Sequence, residues 1–508
     1  MRARGSDKGA SEMATTAKSK APADWSAPNQ RHEDLREFLE RAARIGEVKA
    51  IEGAGWDLEM AGISEMFGNE RPDNPPALLF DAVPGYPKGH RVVWGAGNSQ
   101  RRFALTFGFD DPKAPMDMVQ AYRDRMRGGF ELIPPKRVKT GPVLENIDRD
   151  DEVDLMKFPT PRVHERDGGR YIGTHDLVIM RDPDTGWINV GCYRVQIFDK
   201  NTVGLWISPG KHGRLIREKY FARGEPCPVA ISVGTDPLLF ITAGNESDYG
   251  VSEFAYAGGH RGRPFETVES ELHKLPIPAR DEIVLEGEVV PGDIRTEGPF
   301  GEFTGYYAGG EHELPCVRVR RVYHRNDPIL TVARPGRPPH DFIVAKSITK
   351  AATIWDELEK AGLPGVKGVW SHEAGGARMF NVVSIEQMYP GHARQAGHLA
   401  YACHAGNYLG RWVVVVDDDI DPANVNDVIW SMCTRFDPRE DMEVLRGNWS
   451  THLDPMVYSH DDRRNARVVI DACIPWARKD TFPVVARSSR ELDARIRAKW
   501  GDFLPPGA

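Results

Sequence analysis

The stretch "EIVLEGEVVPGDIRTEGPFGEFTGYY", residues 282–307, sets a strand directly against a loop. Its first part, "EIVLEGEVV", is a short β-branched, partly alternating run of the kind that builds sheets. Its second part, "EGPFGEFTGYY" (297–307), places Glu297 and Glu302 five residues apart among Gly298, Pro299 and Gly301. Positions five apart share a helix face poorly, and this glycine and proline content disfavours a helix. The segment therefore reads as a tight loop with aromatic neighbours, where the surroundings of a carboxyl group can be closely set. Taken alone, a surface turn carrying two solvated acids accounts for the loop as well.

Outward from this stretch the texture stays β-rich. "HDLVIMRD" (175–182), "INVGCYRVQIFD" (188–199), "VAISVGTD" (229–236) and "CVRVRRVYH" (316–324) are short runs joined by Gly and Pro turns. Such a density of strands over about residues 126–340 predicts a closed or split barrel. Before it, "DLREFLERAARIGEV" puts Leu35, Phe38, Leu39, Ala42 and Ile45 at helical spacing and stops at Gly46. "ALLFDAV" and "RVVWGAG" then suggest an α/β portion over 31–125. "GAGNSQ" (95–100) begins like a dinucleotide fingerprint, but Gln100 stands where the third glycine belongs.

After residue 340 helix and strand alternate again, an α/β region over 341–487. "SITKAATIWDELEKAG" gives a stripe of Ile348, Ala351, Ala352 and Trp355. "WVVVVDDDIDPANVNDVIWSMCTRF" reads as a buried strand followed by a helix with Asp421 as N-cap and Pro422 at the first position. Its aspartates are not a calcium loop, because Pro422 and Val428 occupy the positions that need glycine and glutamate. A last helix within 488–508 starts at a capping box of Ser488 and Glu491 and presents Leu492, Ile496 and Trp500 to a second subunit or to its own domain.

The 508 residues allow about three domains. A net charge of -8 argues against nucleic acid or an anionic membrane as the main partner, and no apolar run is long enough to span a bilayer. Six cysteines without a C-x-x-C pair suit buried thiols in a reducing cytoplasm. Residues 1–30, rich in Ala, Ser, Lys and Pro, read as a disordered tail rather than a secretory signal.

Three further places hold polar residues with little structural reason: Asn189 and Arg194 inside a strand-like run, His212 after a glycine turn beside Lys211, and Glu253 ahead of an aromatic segment. An amide oxygen, an imidazole and a carboxylate would suit a divalent metal completed by phosphate. Each also has a plainer role, as a backbone-satisfying amide, a turn histidine and a solvated acid, and spacing alone does not join them.

"NVGCYR" (189–194), His212, "DYGVSE" (248–253), "EGPFGEFTGYY" and "GRPP" (336–339) together resemble the UbiD-type decarboxylases, in that family's order, over about residues 30–490. The resemblance implies a mixed α+β fold: a split β-barrel flavin-binding domain flanked by an N-terminal α/β portion and a C-terminal α/β oligomerisation domain. It implies prenylated FMN made by a partner flavin prenyltransferase, its phosphate held through Mn²⁺ (or Mg²⁺) and K⁺. Asn189, His212 and Glu253 would be the metal ligands, and Val190, Tyr193, Arg194, Lys211 and Arg411 would contact the cofactor. Arg194, Glu297 and Glu302 would form the catalytic set, with Glu302 as proton donor in a reversible decarboxylation through a covalent adduct with the cofactor. The expected substrate is a small aromatic or heteroaromatic acid, and the expected assembly a homodimer or dimer-based homo-oligomer. The alternatives are a carboxylase or subunit acting on an activated substrate such as a CoA thioester, and a catalytically silent flavin-binding subunit. His340 follows "GRPP" where the family commonly has an acid, and suits either substrate polarity or a structural role.

Overall fold

The computed structural model describes residues 32–71, 74–245, 247–457 and 462–503; the tail expected over 1–30 lies outside them. Strand Ile283–Glu297, the continuation of the opening stretch, is the spine of a nine-stranded sheet. Around the sheet the order is Arg170–Gly173, Arg194–Ile197, Thr202–Trp206, His312–His324, Ile283–Glu297, Cys227–Val233, Asp176–Arg181 and Ile188–Gly191, with Asn146–Arg149 paired beside His312–His324. The two ends of this path do not pair, so the curled sheet is an open, split barrel. Its interior is made by alternate residues such as Val178, Met180, Val195, Leu205, Ile231, Leu285 and Val317, all buried in one cluster.

The N-terminal sheet carries Val48–Glu52, Ala77–Asp81 and Arg91–Trp94, and its fourth strand, Ile329–Val332, comes from the far end of the barrel region. A break near residue 125 in the sequence is therefore not a break in the sheet. The first helix, Leu35–Arg44, begins at Asp34, whose side chain accepts the Glu37 N–H, and buries Leu35, Phe38, Leu39 and Ala42. "GAGNSQ" is a helix start and not a nucleotide loop: Ser99 caps Gln100–Phe107.

The C-terminal sheet runs in the order Val366–Ser371, Phe380–Ile385, Trp412–Asp417, Arg464–Asp471, Met442–Trp449. The helix after "WVVVVD" starts later than expected, at Val425, with Asn424 as the cap accepting from Asn426 and Asp427. Asp421 spends its carboxylate on the Ala423 N–H in the preceding turn. At the chain end the cap is Ser489 rather than Ser488, and on helix Arg490–Trp500 Leu492 and Ile496 are half-buried while Trp500 is exposed.

Helix Ile343–Lys360 joins the three regions. It packs on helix Pro115–Arg127 and on strand Val366–Ser371, and its Ile348, Ala351, Ala352 and Trp355 are buried in the core shared with the barrel's outer helices. Ile348→Ala removes wholly buried methyl groups at this junction, and a loss of about 2–4 kcal/mol is expected. Denaturant unfolding followed by tryptophan fluorescence measures it; an unchanged midpoint would contradict the packing described.

Candidate active site

Arg194 opens strand Arg194–Ile197 and Glu297 closes strand Ile283–Glu297. Two strands, Thr202–Trp206 and His312–His324, lie between them in the sheet. In a flat sheet three strand spacings would separate them by roughly 14 Å. The two long side chains project from the same face of the sheet and span the strands between them, so that Arg194 Nε and Nη2 donate to Glu297 Oε1 and Oε2, each at 2.8 Å. The remaining arm, Nη1, donates to Glu302 Oε1 at 2.5 Å. One guanidinium thus serves both carboxylates of the opening loop, and its plane lies 4.8 Å from the Phe300 ring.

The loop is held by its backbone. Gly168 N donates to Pro299 O at 2.8 Å, Gly301 N to Asp167 Oδ1 at 3.0 Å, and Glu302 N to Tyr306 O at 3.0 Å. Gly298 and Gly305 adopt φ values of 94° and 86°, which a side chain would strain. Glu297 is wholly buried and Glu302 nearly so. Burial raises the Glu302 pKa, with Glu297 adding to the rise and Arg194 and Arg378 opposing it. Burial alone would lower the Arg194 pKa, but Glu302 and Glu297 outweigh it and the net shift is upward.

Phe303, the residue after Glu302, lines a cavity of about 730 Å³, whose wall does not include Arg194, Glu297 or Glu302 themselves. Phe303, His340 and Arg378 line one part of it, and Asn189, His212 and Glu253 another. His212 and Glu253 each begin a helix, His212–Ala222 and Glu253–Arg261, so two positive helix ends face the cavity. Glu253 accepts from Val190 N at 2.8 Å, Ser247 Oγ at 2.8 Å and Asn189 Nδ2 at 3.2 Å. Burial nonetheless raises its pKa. Asn189 then turns its Oδ1 to a buried position where none of the described residues donates to it. That amide oxygen, the Glu253 carboxylate and the His212 imidazole share the cavity and form a donor set suited to a hard divalent cation.

Val190, Tyr193 and Lys211 also line the cavity, and Tyr193 Oη accepts the Gly213 N–H at 3.1 Å. Arg411 does not line it. Its guanidinium is engaged by Asp454, with both oxygens at 2.6 Å, inside the C-terminal region. His340 is buried with Nδ1 3.0 Å from the Asp341 carbonyl, and burial lowers its pKa to about 4, so the ring is neutral. Arg378 and Lys346 line the cavity without having been expected there. Neither stands in a recognisable pattern, and only the packing of the C-terminal region brings Arg378 to 4.4 Å from the Phe303 ring.

Comparison with known proteins agrees along the whole chain. Residues 136–338, 344–472 and 39–122 match the family models described as the 3-octaprenyl-4-hydroxybenzoate carboxy-lyase Rift-related, C-terminal and N-terminal domains. A pyrrole-2-carboxylic acid decarboxylase of Pseudomonas aeruginosa is 31% identical over 496 residues, covering 92% of this chain and 98% of the relative. A phenolic acid decarboxylase of Bacillus subtilis is 30% identical, covering 93% and 98%. The UbiD-class enzyme HmfF of Pelotomaculum thermopropionicum, solved with FMN, superposes with a TM-score of 0.81 at 29% identity over 93% of this chain and all of that one. An evolved dimeric form of the same enzyme, solved with prFMN, gives 0.78 at 28% identity, with the same coverage.

Removing the guanidinium while leaving Glu297 buried strands a charge, a change that typically costs about 3–5 kcal/mol. Arg194→Met is therefore expected to lower stability by that order, and adding Glu297→Gln to recover part of it. Equilibrium denaturation of the single and double variants measures this; equal stability of Arg194→Met and the parent would show that the fork contributes nothing.

Proposed function

This chain belongs to the UbiD family of carboxy-lyases, and on that premise we propose that it removes CO₂ from a small aromatic or heteroaromatic carboxylic acid with the help of prenylated FMN. The observation that carries this reading is Glu302: a buried carboxyl with a raised pKa, held by Arg194 beside a cavity that ends in a metal donor set. The size of the cavity suits a flavin-class ligand.

Loss of CO₂ from an aromatic ring leaves an electron pair in an orbital orthogonal to the ring π system. Prenylated FMN, when bound, supplies the electron acceptor that this pair needs. The chain's own residues do the rest. Asn189 Oδ1, His212 and Glu253 would hold Mn²⁺ (or Mg²⁺) against the cofactor phosphate, with the two helix N-termini, Lys211 and Tyr193 around it. Arg194 keeps two N–H bonds beyond its three to the carboxylates, and these can orient the substrate carboxylate. After CO₂ leaves, the Glu302 O–H bond breaks as its proton passes to the ring carbon, and Arg194 stabilises the carboxylate that remains. Run backwards at high bicarbonate, the same steps carboxylate the ring.

Two further points belong to the proposal. The cofactor would come from a flavin prenyltransferase. Pairing of copies would use the C-terminal region, whose edge strand Met442–Trp449 exposes Met442, Val444 and Trp449.

The test is the mass and visible spectrum of the cofactor released after co-expression with a flavin prenyltransferase, followed by assay of aromatic acids for CO₂ release. Plain FMN, or none, would overturn the proposal. Glu302→Gln is expected to retain the cofactor and lose about 10²–10⁴-fold in turnover; a rate like that of the parent would remove Glu302 from the mechanism. Because the donor must carry its proton, turnover should fall as pH rises through the raised Glu302 pKa, so the alkaline limb lies above the ordinary carboxyl range. Asn189→Ala should lose bound manganese in elemental analysis while the fold persists.

A further inference from the structure

The four strands bridged by the Arg194–Glu297 fork carry two aromatic side chains with no part in the steps above. Trp206 lies directly opposite Arg194 in one strand pair, and His312 directly opposite Glu297 in another. Opposed residues in antiparallel strands project to the same face, so Arg194 and Trp206 form one pair on it and Glu297 and His312 another, the two pairs set diagonally to each other. Between the pairs the His312 ring stacks on Trp206, centroids 3.9 Å apart and planes 14° from parallel. From the C-terminal region His452 meets both rings edge-on, at 5.9 Å and 5.8 Å. The imidazole of His312 is thus fixed in plane and direction by a stack, an edge contact and its strand register.

It points at the acid. A methyl group on Gly309 would stand 3.4 Å from His312 Nε2 and 3.7 Å from Glu302 Oε1, so both atoms border the one space in front of that glycine. Glu302 is nearly buried and, as the donor, would give up its proton at every turnover, whereas His312 is only half-buried, with its Nε2 on the inner side. Ionisable side chains facing His312 include Glu297, Glu302 and His452.

We propose that His312 is the relay that returns a proton to Glu302 between turnovers, across the space before Gly309. This rests on the reading of Glu302 as the donor. In the step an N–H bond of the His312 imidazolium breaks and the Glu302 O–H bond forms, directly or through one water. The neutral imidazole then takes a proton from solvent. One solvent proton thus replaces each CO₂ lost, with no change of oxidation state.

The test uses holoenzyme in rapid-mixing assays. With His312→Ala the first turnover should run at the parent rate, giving a burst of one product per site, and later turnovers should slow at least tenfold. Added imidazole should restore them. Gly309→Ala, at a position that needs no left-handed backbone, should give the same burst without rescue, because the methyl fills the space. A His312→Ala variant with no burst, whether slow from the first turnover or as fast as the parent throughout, overturns the relay. Parent-like turnover of Glu302→Gln would instead mean that the donor assignment had failed, whatever His312 does.

Discussion

The fork between Arg194 and Glu297 is the interaction on which the site depends, because it joins residues three strands apart in the sheet. Both ends are mounted on barrel strands, which are held by the packing of Val178, Val195, Leu285 and Val317 on the other face of the sheet. The chemistry is therefore placed by the barrel and not by loop conformation alone. Glu302 follows Glu297 on the extension of the spine strand, five residues on, so fixing Glu297 fixes where its neighbour can reach. Groups mounted on regular elements are held more closely than groups on free loops.

In the proposed reaction the fork also decides which carboxyl serves as the acid. Two carboxylates and one guanidinium, all largely buried, would leave an uncompensated negative charge if both acids were ionised. Glu297 takes two of the three bonds from Arg194 and is wholly buried, while Glu302 takes one. The less tightly held partner accommodates the proton more cheaply, and burial raises its pKa accordingly. Two equal residues in one loop acquire unequal roles from a difference of one hydrogen bond and a little exposure.

Much of this was legible in the sequence, for a physical reason. Strand alternation and helical stripes are local patterns, and Leu35, Phe38, Ile348 and Val428 are buried as their spacing requires. The opening loop combined glycines, aromatics and two acids, which marked it before any partner was known. What failed was of another kind. The helix cap moved from Asp421 to Asn424 because a nearer backbone N–H captured the first candidate's oxygen. Arg411, expected at the cofactor, is taken by Asp454, and strand Ile329–Val332 crosses to the N-terminal sheet. Trp206, His312 and Arg378 were invisible because their proximity comes from strand register and from the packing of one region on another. No window of sequence contains either.

Arg378 shows what that packing does. It comes from the C-terminal region, between strands Val366–Ser371 and Phe380–Ile385, yet its charge lowers the pKa of Glu302. The acidity of the proposed donor is therefore touched by two regions: burial raises the Glu302 pKa, Arg194 of the barrel opposes that rise, and Arg378 of the C-terminal region opposes it to a smaller extent. His452 lies on the same side of the site, against Trp206 and His312. Coulombic influence falls with distance and rises as water is excluded. Any change in how closely the C-terminal region sits on the barrel would then alter the strength of the acid and the wall beside it together. Proton affinity at the proposed donor is in this way tied to that interface, although Glu302 itself belongs wholly to the barrel.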